Sequence, residues 1–264
     1  LRNIVCVGLI LLLGLESGGN SQLVVLARTK RVEILDASVT MAYQEMAIES
    51  TAPTNVELVG QFGGVTNAVA VQGDYAYIGV GPRLVILDIT NPAIPTVLGQ
   101  TTVMPGIVMG IAVAGNYAYV TDSSNGVLRV INIANPVAPT EVGFYDTPGD
   151  ARSVAVAGSY AYVADNSSGL RVVNIANPAT PSEVGFYNTP GYAVDVTVAG
   201  NYAYVAVGYS LRVISIANPA APAEVGFYDM PGIARSVAVA GSYAYIANDY
   251  SGLRVLDIAN PAAP

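Results

Sequence analysis

Residues 150–190, DARSVAVAGSYAYVADNSSGLRVVNIANPATPSEVGFYNTP, decide the fold, because the chain from about residue 55 onward restates them. The turn before each Tyr-Ala-Tyr or Tyr-Ala-Tyr-like doublet falls at Gly73, Gly115, Gly158, Gly200 and Gly241, in steps of 42, 43, 42 and 41 residues. Self-similarity at such a period marks a propeller or a solenoid. Within the stretch we expect four short strands: A over Arg152–Val156, B over Tyr160–Ala164, C over Leu170–Ile175 and D over Glu183–Tyr187. No segment of the repeat has helical periodicity.

The turns supply the punctuation. Gly158-Ser159 joins A to B, and a glycine opening a two-residue loop provides the positive φ of a type II′ hairpin. Asn177-Pro178-Ala179-Thr180-Pro181 joins C to D and recurs at Asn91, Asn135, Asn218 and Asn260. Proline presets φ there and cannot donate into a ladder, so each C strand stops cleanly. Strand A is rich in Val and Ala without polar alternation, which predicts burial on both faces, as for innermost strands crowded around an axis. The tyrosines of strand B (Tyr160 and Tyr162, Tyr202 and Tyr204, Tyr243 and Tyr245) lie two apart and share a sheet face, where we expect them to pack blade on blade. An aromatic platform for carbohydrate is the other use of such a doublet.

Four antiparallel strands per period of about 42 residues match a β-propeller blade. The C strands LRVINI, LRVVNI, LRVISI and LRVLDI, each followed by ANP, together with LVILDITNP at Leu84–Pro92, resemble the LVIVD repeat family. The resemblance covers residues 55–264 in five copies. It implies a bacterial or archaeal propeller protein, exported or surface-associated, with no assigned activity. The fold expected is therefore all-β: five four-stranded blades, or six if an N-terminal hairpin adds a degenerate blade. The segment Val56–Phe62 reads as a D strand that completes the last blade and closes the ring, which removes sheet edges. A fragment of a longer array is the rival to that closure.

Composition agrees with many short buried strands. Hydrophobic residues make up 52% of the 264 positions and charged residues 11%, with 27 glycines and 16 prolines. The formal charge of −8 and scattered cations argue against nucleic acid as a partner. With no histidine and only Cys6, an intrachain disulfide and a His/Cys metal cage are excluded, and no cofactor is expected.

Residues 1–18 are expected to be a signal peptide, since Ile4–Leu15 is a twelve-residue apolar run behind Arg2, followed by ESGGNS. That run is short for a membrane span, so no membrane insertion is expected once it is removed. Its other reading is a buried strand of a degenerate repeat. Residues 19–54 are expected to be a linker with a half-blade: QLVVLARTKRVEILDAS (22–38) resembles a strand, turn and strand, and SVTMAYQEMAIESTAPTN a linker or short helix.

The D-to-A connections and B-to-C turns emerge on one end of each blade, the A-to-B and C-to-D turns on the other. The latter barely change between copies and read as scaffold. The former vary, in the B-to-C turns led by Asp122, Asp165, Tyr209 and Asp249, and at Asn67, Met109, Asp150, Arg152, Asp195 and Arg235 at or near the entry to strand A. These ten are the candidate ligand-binding residues, because function on a repetitive scaffold concentrates in loops; drift of unconstrained turns gives the same pattern. Each Asp-Ser-Ser-Asn-type turn carries one carboxylate where a calcium loop wants several, so a polar hairpin turn is the expected reading. Arg129, Arg171, Arg212 and Arg254 in C face Glu141, Glu183 and Glu224 in D, predicting cross-strand ion pairs instead of a polyanion-binding ring. No nucleophile elbow or histidine base exists, and Asp150 with Asp195 is the nearest thing to a glycosidase carboxylate pair. The expected function is non-catalytic binding of a protein or glycan outside a prokaryotic cell. A structural module of a surface layer or larger surface protein is the alternative.

Overall fold

Short Val- and Ala-rich runs between fixed turns fold as five successive antiparallel sheets in the computed structural model. It describes residues 65–123 and 126–264, Val59 and Gln61, and three short strands nearer the N-terminus. The chain divides into two compact units, Leu1–Leu58 and Val59–Pro264. In the first, β1 (Cys6–Val7), β2 (Thr29–Leu35) and β3 (Ser38–Tyr43) form one sheet in that order. This corrects the N-terminal expectation by one strand. The pairing runs Lys30 to Tyr43 through Leu35 to Ser38, so Ser38–Tyr43 is a strand and not a linker or helix. Most of the apolar run Ile4–Leu15 lies outside the described residues.

In the second unit, blade 1 is β4 (Thr66–Gln72), β5 (Tyr75–Val80), β6 (Arg83–Asp88) and β7 (Thr96–Gln100). Blade 2 is β8 (Val108–Ala114), β9 (Tyr117–Asp122), β10 (Val127–Asn132) and β11 (Thr140–Asp146). Blade 3 is β12 (Ser153–Ala157), β13 (Tyr160–Ala164), β14 (Leu170–Asn174) and β15 (Ser182–Tyr187). Blade 4 is β16 (Ala193–Ala199), β17 (Tyr202–Val207), β18 (Ser210–Ser215) and β19 (Ala223–Asp229). Blade 5 holds β20 (Ser236–Ala240), β21 (Tyr243–Ala247) and β22 (Leu253–Asp257). Every sheet pairs its strands in chain order. The A-to-B glycines have φ near +57°, from Gly73 to Gly241, while the residue after each keeps negative φ, as a type II′ turn requires.

The core lies between blades. In blades 1 to 4 the second tyrosine of the doublet is buried against the following blade: Tyr162 joins Val172 to Val196 and Val205, and Tyr204 joins Val213 to Val237 and Ile246. The innermost strands pack in series, β4 on β8, β8 on β12, β12 on β16 and β16 on β20. Among the described residues no comparable packing returns from β20 to β4. Tyr245, Leu253 and Val255 of blade 5 are exposed, as are Val69 and Val71 of blade 1. Five blades are thus present as expected, while the ring-closing strand expected at 56–62 lies outside the described residues apart from Val59 and Gln61, which are not in a strand.

Each D strand carries a bulge beside a glycine. Val172 pairs with Gly185 and Val173 with Glu183, so Val184 is the extra residue; Val142 and Val225 are placed likewise. The bulge brings the glycine against the C-to-D turn of the next blade. A β-carbon on Gly99, Gly143, Gly185 or Gly226 would overlap the carbonyl of Pro136, Pro178, Pro219 or Pro261 respectively.

On the outer strands Arg129, Arg171 and Arg212 pair with Glu141, Glu183 and Glu224. Tyrosine hydroxyls tie neighbouring blades there: Tyr145 donates to Glu183 at 3.0 Å, and Tyr187 to Glu224 at 3.0 Å. Burial, followed by that hydrogen bond to a carboxylate, pushes the Tyr145 hydroxyl up to about 12. Its folded value exceeds the unfolded one, so the bond contributes stability that is complete below about pH 10 and lost as pH rises through about 12. Tyr145→Phe should cost ~1 kcal/mol at neutral pH. The deficit relative to wild type should vanish in alkaline urea titrations.

Candidate functional site

The two ends of the blades differ in how their polar groups are used. At the C-to-D end, Asn91, Asn135, Asn177, Asn218 and Asn260 each accept the backbone N–H two residues on at 3.2–3.3 Å. Each closes an Asx turn, reinforced by a backbone bond to the third residue, such as Thr180 N–H to Asn177 O at 3.1 Å. These side chains are spent on the turn, which explains why the sequence repeats them without change.

At the other end each D-to-A connection meets a B-to-C turn, and the sequence-predicted residues divide into two groups. Asp122 and Asp165 are fully buried and hold the blade together, which corrects their placement on a binding surface. Asp122 accepts from Arg129 Nε. The Asp165 carboxylate receives the Thr147 hydroxyl at 2.6 Å and the Gly149 N–H at 2.8 Å, locking the preceding connection to the turn. Burial pushes the Asp165 carboxyl up, against the pull of those two hydrogen bonds and of the Arg171 guanidinium. Asn248 performs the same lock in blade 5, accepting Gly232 N–H at 3.2 Å and donating to Gly232 O at 2.6 Å. Asp165 is thus a turn-fixing group, while Asp122 is tied to β10 through Arg129.

Asp195 is also a structural tie. Its carboxylate accepts the Ser153 hydroxyl at 2.6 Å from one neighbouring innermost strand and Val237 N–H at 2.8 Å from the other. Asp150 instead pairs with Arg152 and accepts Asn166 Nδ2 at 3.3 Å, so the two aspartates serve separate networks. Asn67 is exposed and donates toward Val108 O at 3.4 Å; Met109 is half-buried. Arg235 is exposed and pairs with Asp249 at 3.3 Å, joining connection to turn in blade 5. Beside them Tyr250 is almost wholly exposed. Of the turn at 122–125, Ser124 and Asn125 lie outside the described residues.

Blade 4 departs from its neighbours. Val207 stands where Asp165 and Asn248 stand, and its turn, Gly208-Tyr209, is one residue shorter than those of blades 3 and 5. The polar lock is missing, and a cavity of about 350 Å³ opens between the connection and the turn. Tyr192, Tyr209, Ser210, Arg212 and Asp229 line it along with Val207. Tyr192 and Tyr209 are 64% and 62% exposed, so neither belongs to the core. Arg212, without a buried aspartate, donates through Nε to Ser210 Oγ at 3.0 Å and through Nη1 to Glu224 at 3.4 Å. Its Nη2 lies 3.9 Å from Asp229, beyond hydrogen-bond length. Sequence comparison reached Tyr209 but not Tyr192, Arg212 or Asp229. The substitution of Val207 for a turn-fixing Asp or Asn was the signal that could have found them.

Comparison with known proteins matches the LVIVD repeat family model at residues 63–103, 105–147, 148–189, 190–230 and 231–264. No curated protein matches the chain. Among solved structures, the computationally designed Ika8 protein shares 9% identity over 88% of this chain and 80% of its own, with a TM-score of 0.58. The β-propeller domain of Myceliophteria thermophila Cps50 (Swd1) shares 11% identity over 76% of this chain and 67% of its own, with a TM-score of 0.63. At these identities the likeness concerns the fold alone.

Proposed function

The chain belongs to the LVIVD repeat family, and from that membership and the unequal ends of its blades we propose a non-catalytic binding scaffold. It engages a protein or glycan through the D-to-A and B-to-C loop face. The observation that carries this reading is the distribution of free polar and aromatic side chains. Asx turns consume those of the C-to-D end, whereas Tyr192, Tyr209 and Tyr250 stand exposed on the loop end without a packing role, beside the exposed Arg235 that pairs with Asp249. Rigid scaffolds place recognition in such loops. The apolar run at Ile4–Leu15 behind Arg2 supports export, and the low cysteine count fits either side of a membrane. Among the described residues no helix is long and apolar enough to cross a membrane.

The test is a screen of the full chain against glycan and extracellular-protein arrays, followed by two variants of each hit. Arg235→Ala with Tyr250→Ser should weaken binding at least ~10-fold, since interface aromatics and arginines carry most binding energy. Asn177→Ala, on the other end, should leave affinity unchanged. Hits indifferent to the loop-face changes, or ordered self-assembly with no ligand, would favour the purely structural module instead.

A further inference from the structure

The geometry points to the blade 4 cavity as a subsite for one neutral pyranose of a glycan, held between Tyr192 and Tyr209 over Arg212 and Asp229. This rests on the loop-face reading above and narrows it to one blade and one ligand class.

The cavity lies where the repeat changes: blade 4, like blade 1 with Val80, carries valine and a shorter turn where blades 2, 3 and 5 carry Asp122, Asp165 and Asn248. In blade 3 the corresponding space is taken by Asp165, whose carboxylate reaches across to Thr147 and Gly149. In blade 4 Val207 makes no such reach, and Thr189 turns its hydroxyl to Gly191 O at 2.6 Å instead. The space left is at the lower end of the range for small-molecule pockets, about 300–1,000 Å³, a size suited to a single sugar ring.

The backbone of its walls is held before any ligand arrives. Gly208 N–H donates to Tyr192 O at 3.2 Å, Met230 N–H to Tyr209 O at 2.7 Å and Ala234 N–H to Gly208 O at 2.7 Å. The turn is thereby pinned to the connections on both sides, and the two tyrosines sit on held backbone, which lowers the ordering cost of binding.

The chemistry of the lining selects the ligand. Tyrosine offers an apolar ring face with a polar handle, matched to the C–H face and hydroxyl rim of a pyranose. Arg212 Nη2 is a donor with no hydrogen bond to Asp229, and Asp229, 74% exposed, is an acceptor beside it. Adjacent hydroxyls on a sugar satisfy such a donor and acceptor together. Charge does not favour the anionic alternatives: the charged lining residues Arg212 and Asp229 balance, and Glu224 already engages Arg212 Nη1, so no excess positive charge awaits a carboxylate or phosphate.

The proposal is tested by calorimetry of the full chain against neutral hexasaccharides of glucose, xylose, mannose and N-acetylglucosamine, with a sialylated trisaccharide as the anionic probe. At least one neutral hexasaccharide should bind. Tyr209→Ala and Tyr192→Ala should each weaken it by about tenfold, and Tyr209→Phe should retain most of the affinity. The melting temperature should be unchanged in all three, because both rings are exposed. No neutral hexasaccharide binding at millimolar concentration would overturn the proposal, as would tighter binding of the sialylated probe. If a hexasaccharide binds but responds only to Tyr250→Ser and Arg235→Ala, the blade 4 subsite falls while the loop-face reading stands. If binding ignores all of these substitutions, both fall.

Discussion

Asp165→Ala should destabilise the propeller by ~2–4 kcal/mol, while Asp165→Asn should stay within about 1 kcal/mol of wild type. The alanine variant strands Gly149 N–H in a buried position, leaves the Thr147 hydroxyl only its bond to Gly126 O, and removes the carboxylate nearest Arg171 Nε, 3.8 Å away. Asparagine keeps an acceptor for Gly149 N–H and adds a donor for Thr147, as Asn248 does with its own connection in blade 5. The Thr147 hydroxyl lies 3.0 Å from Gly126 O as well as 2.6 Å from Asp165, yet has one proton to give. Protonation of Asp165 would satisfy all three groups in a chain.

The same residue sets an expected pH dependence. The folded carboxyl titrates above its ordinary value, so between pH ~3.9 and the raised folded value the native state holds the proton more tightly than the unfolded chain does. Wild type should therefore gain stability relative to Asp165→Asn as pH falls through that window, and lose the gain as pH rises. Urea titrations of both proteins from neutral pH to pH ~4 measure the difference directly. A difference that is flat or of opposite sign would mean that Asp165 is held as a well-solvated anion.

Gly185→Ala should cost ~3 kcal/mol, the upper range for overpacking, because the added methyl meets backbone and cannot be accommodated by rotating a side chain. Its β-carbon would overlap Pro219 O and the Ala220 carbonyl of the next blade's turn. In thermal melts that corresponds to a loss of roughly 6–12 °C for a chain of this size. Gly158 is the informative contrast. Nothing lies near its absent β-carbon, and its φ of +57° makes alanine conformationally strained at ~1–2 kcal/mol without a collision. If the two substitutions were equal, blade spacing would not depend on the D-strand glycine.

The repeat made much of this fold legible. Gly158 and its copies announced hairpins, Asn177-Pro178 and its copies ended the C strands, and strand bounds inferred for 152–187 fall within one residue of those observed. The interblade place of Tyr162 and Tyr204 followed from their shared face. What stayed hidden has physical reasons. Asp165 looked variable because Asn248 and Val207 replace it elsewhere, and only coordinates reveal that Asp and Asn make the same lock. Gly185 was unremarked because a one-residue bulge, invisible in an alternating pattern, brings it to the neighbouring turn. The blade 4 cavity arises from a missing polar contact, and an absence becomes readable only once its counterpart in blade 3 is known. In the N-terminal unit, a single worn copy gave no second instance with which to place β2 against β3.

Blade 4 has a building end and a recognising end, and one paired measurement tests that division directly. Melting temperature and affinity for the best-binding neutral hexasaccharide are measured side by side for Asn218→Ala and Tyr209→Ser. Asn218→Ala, losing its Asx turn to Ala220 N–H, should lower the melting temperature and leave affinity intact. Tyr209→Ser should do the reverse. A Tyr209→Ser protein that melts early yet binds normally would contradict it.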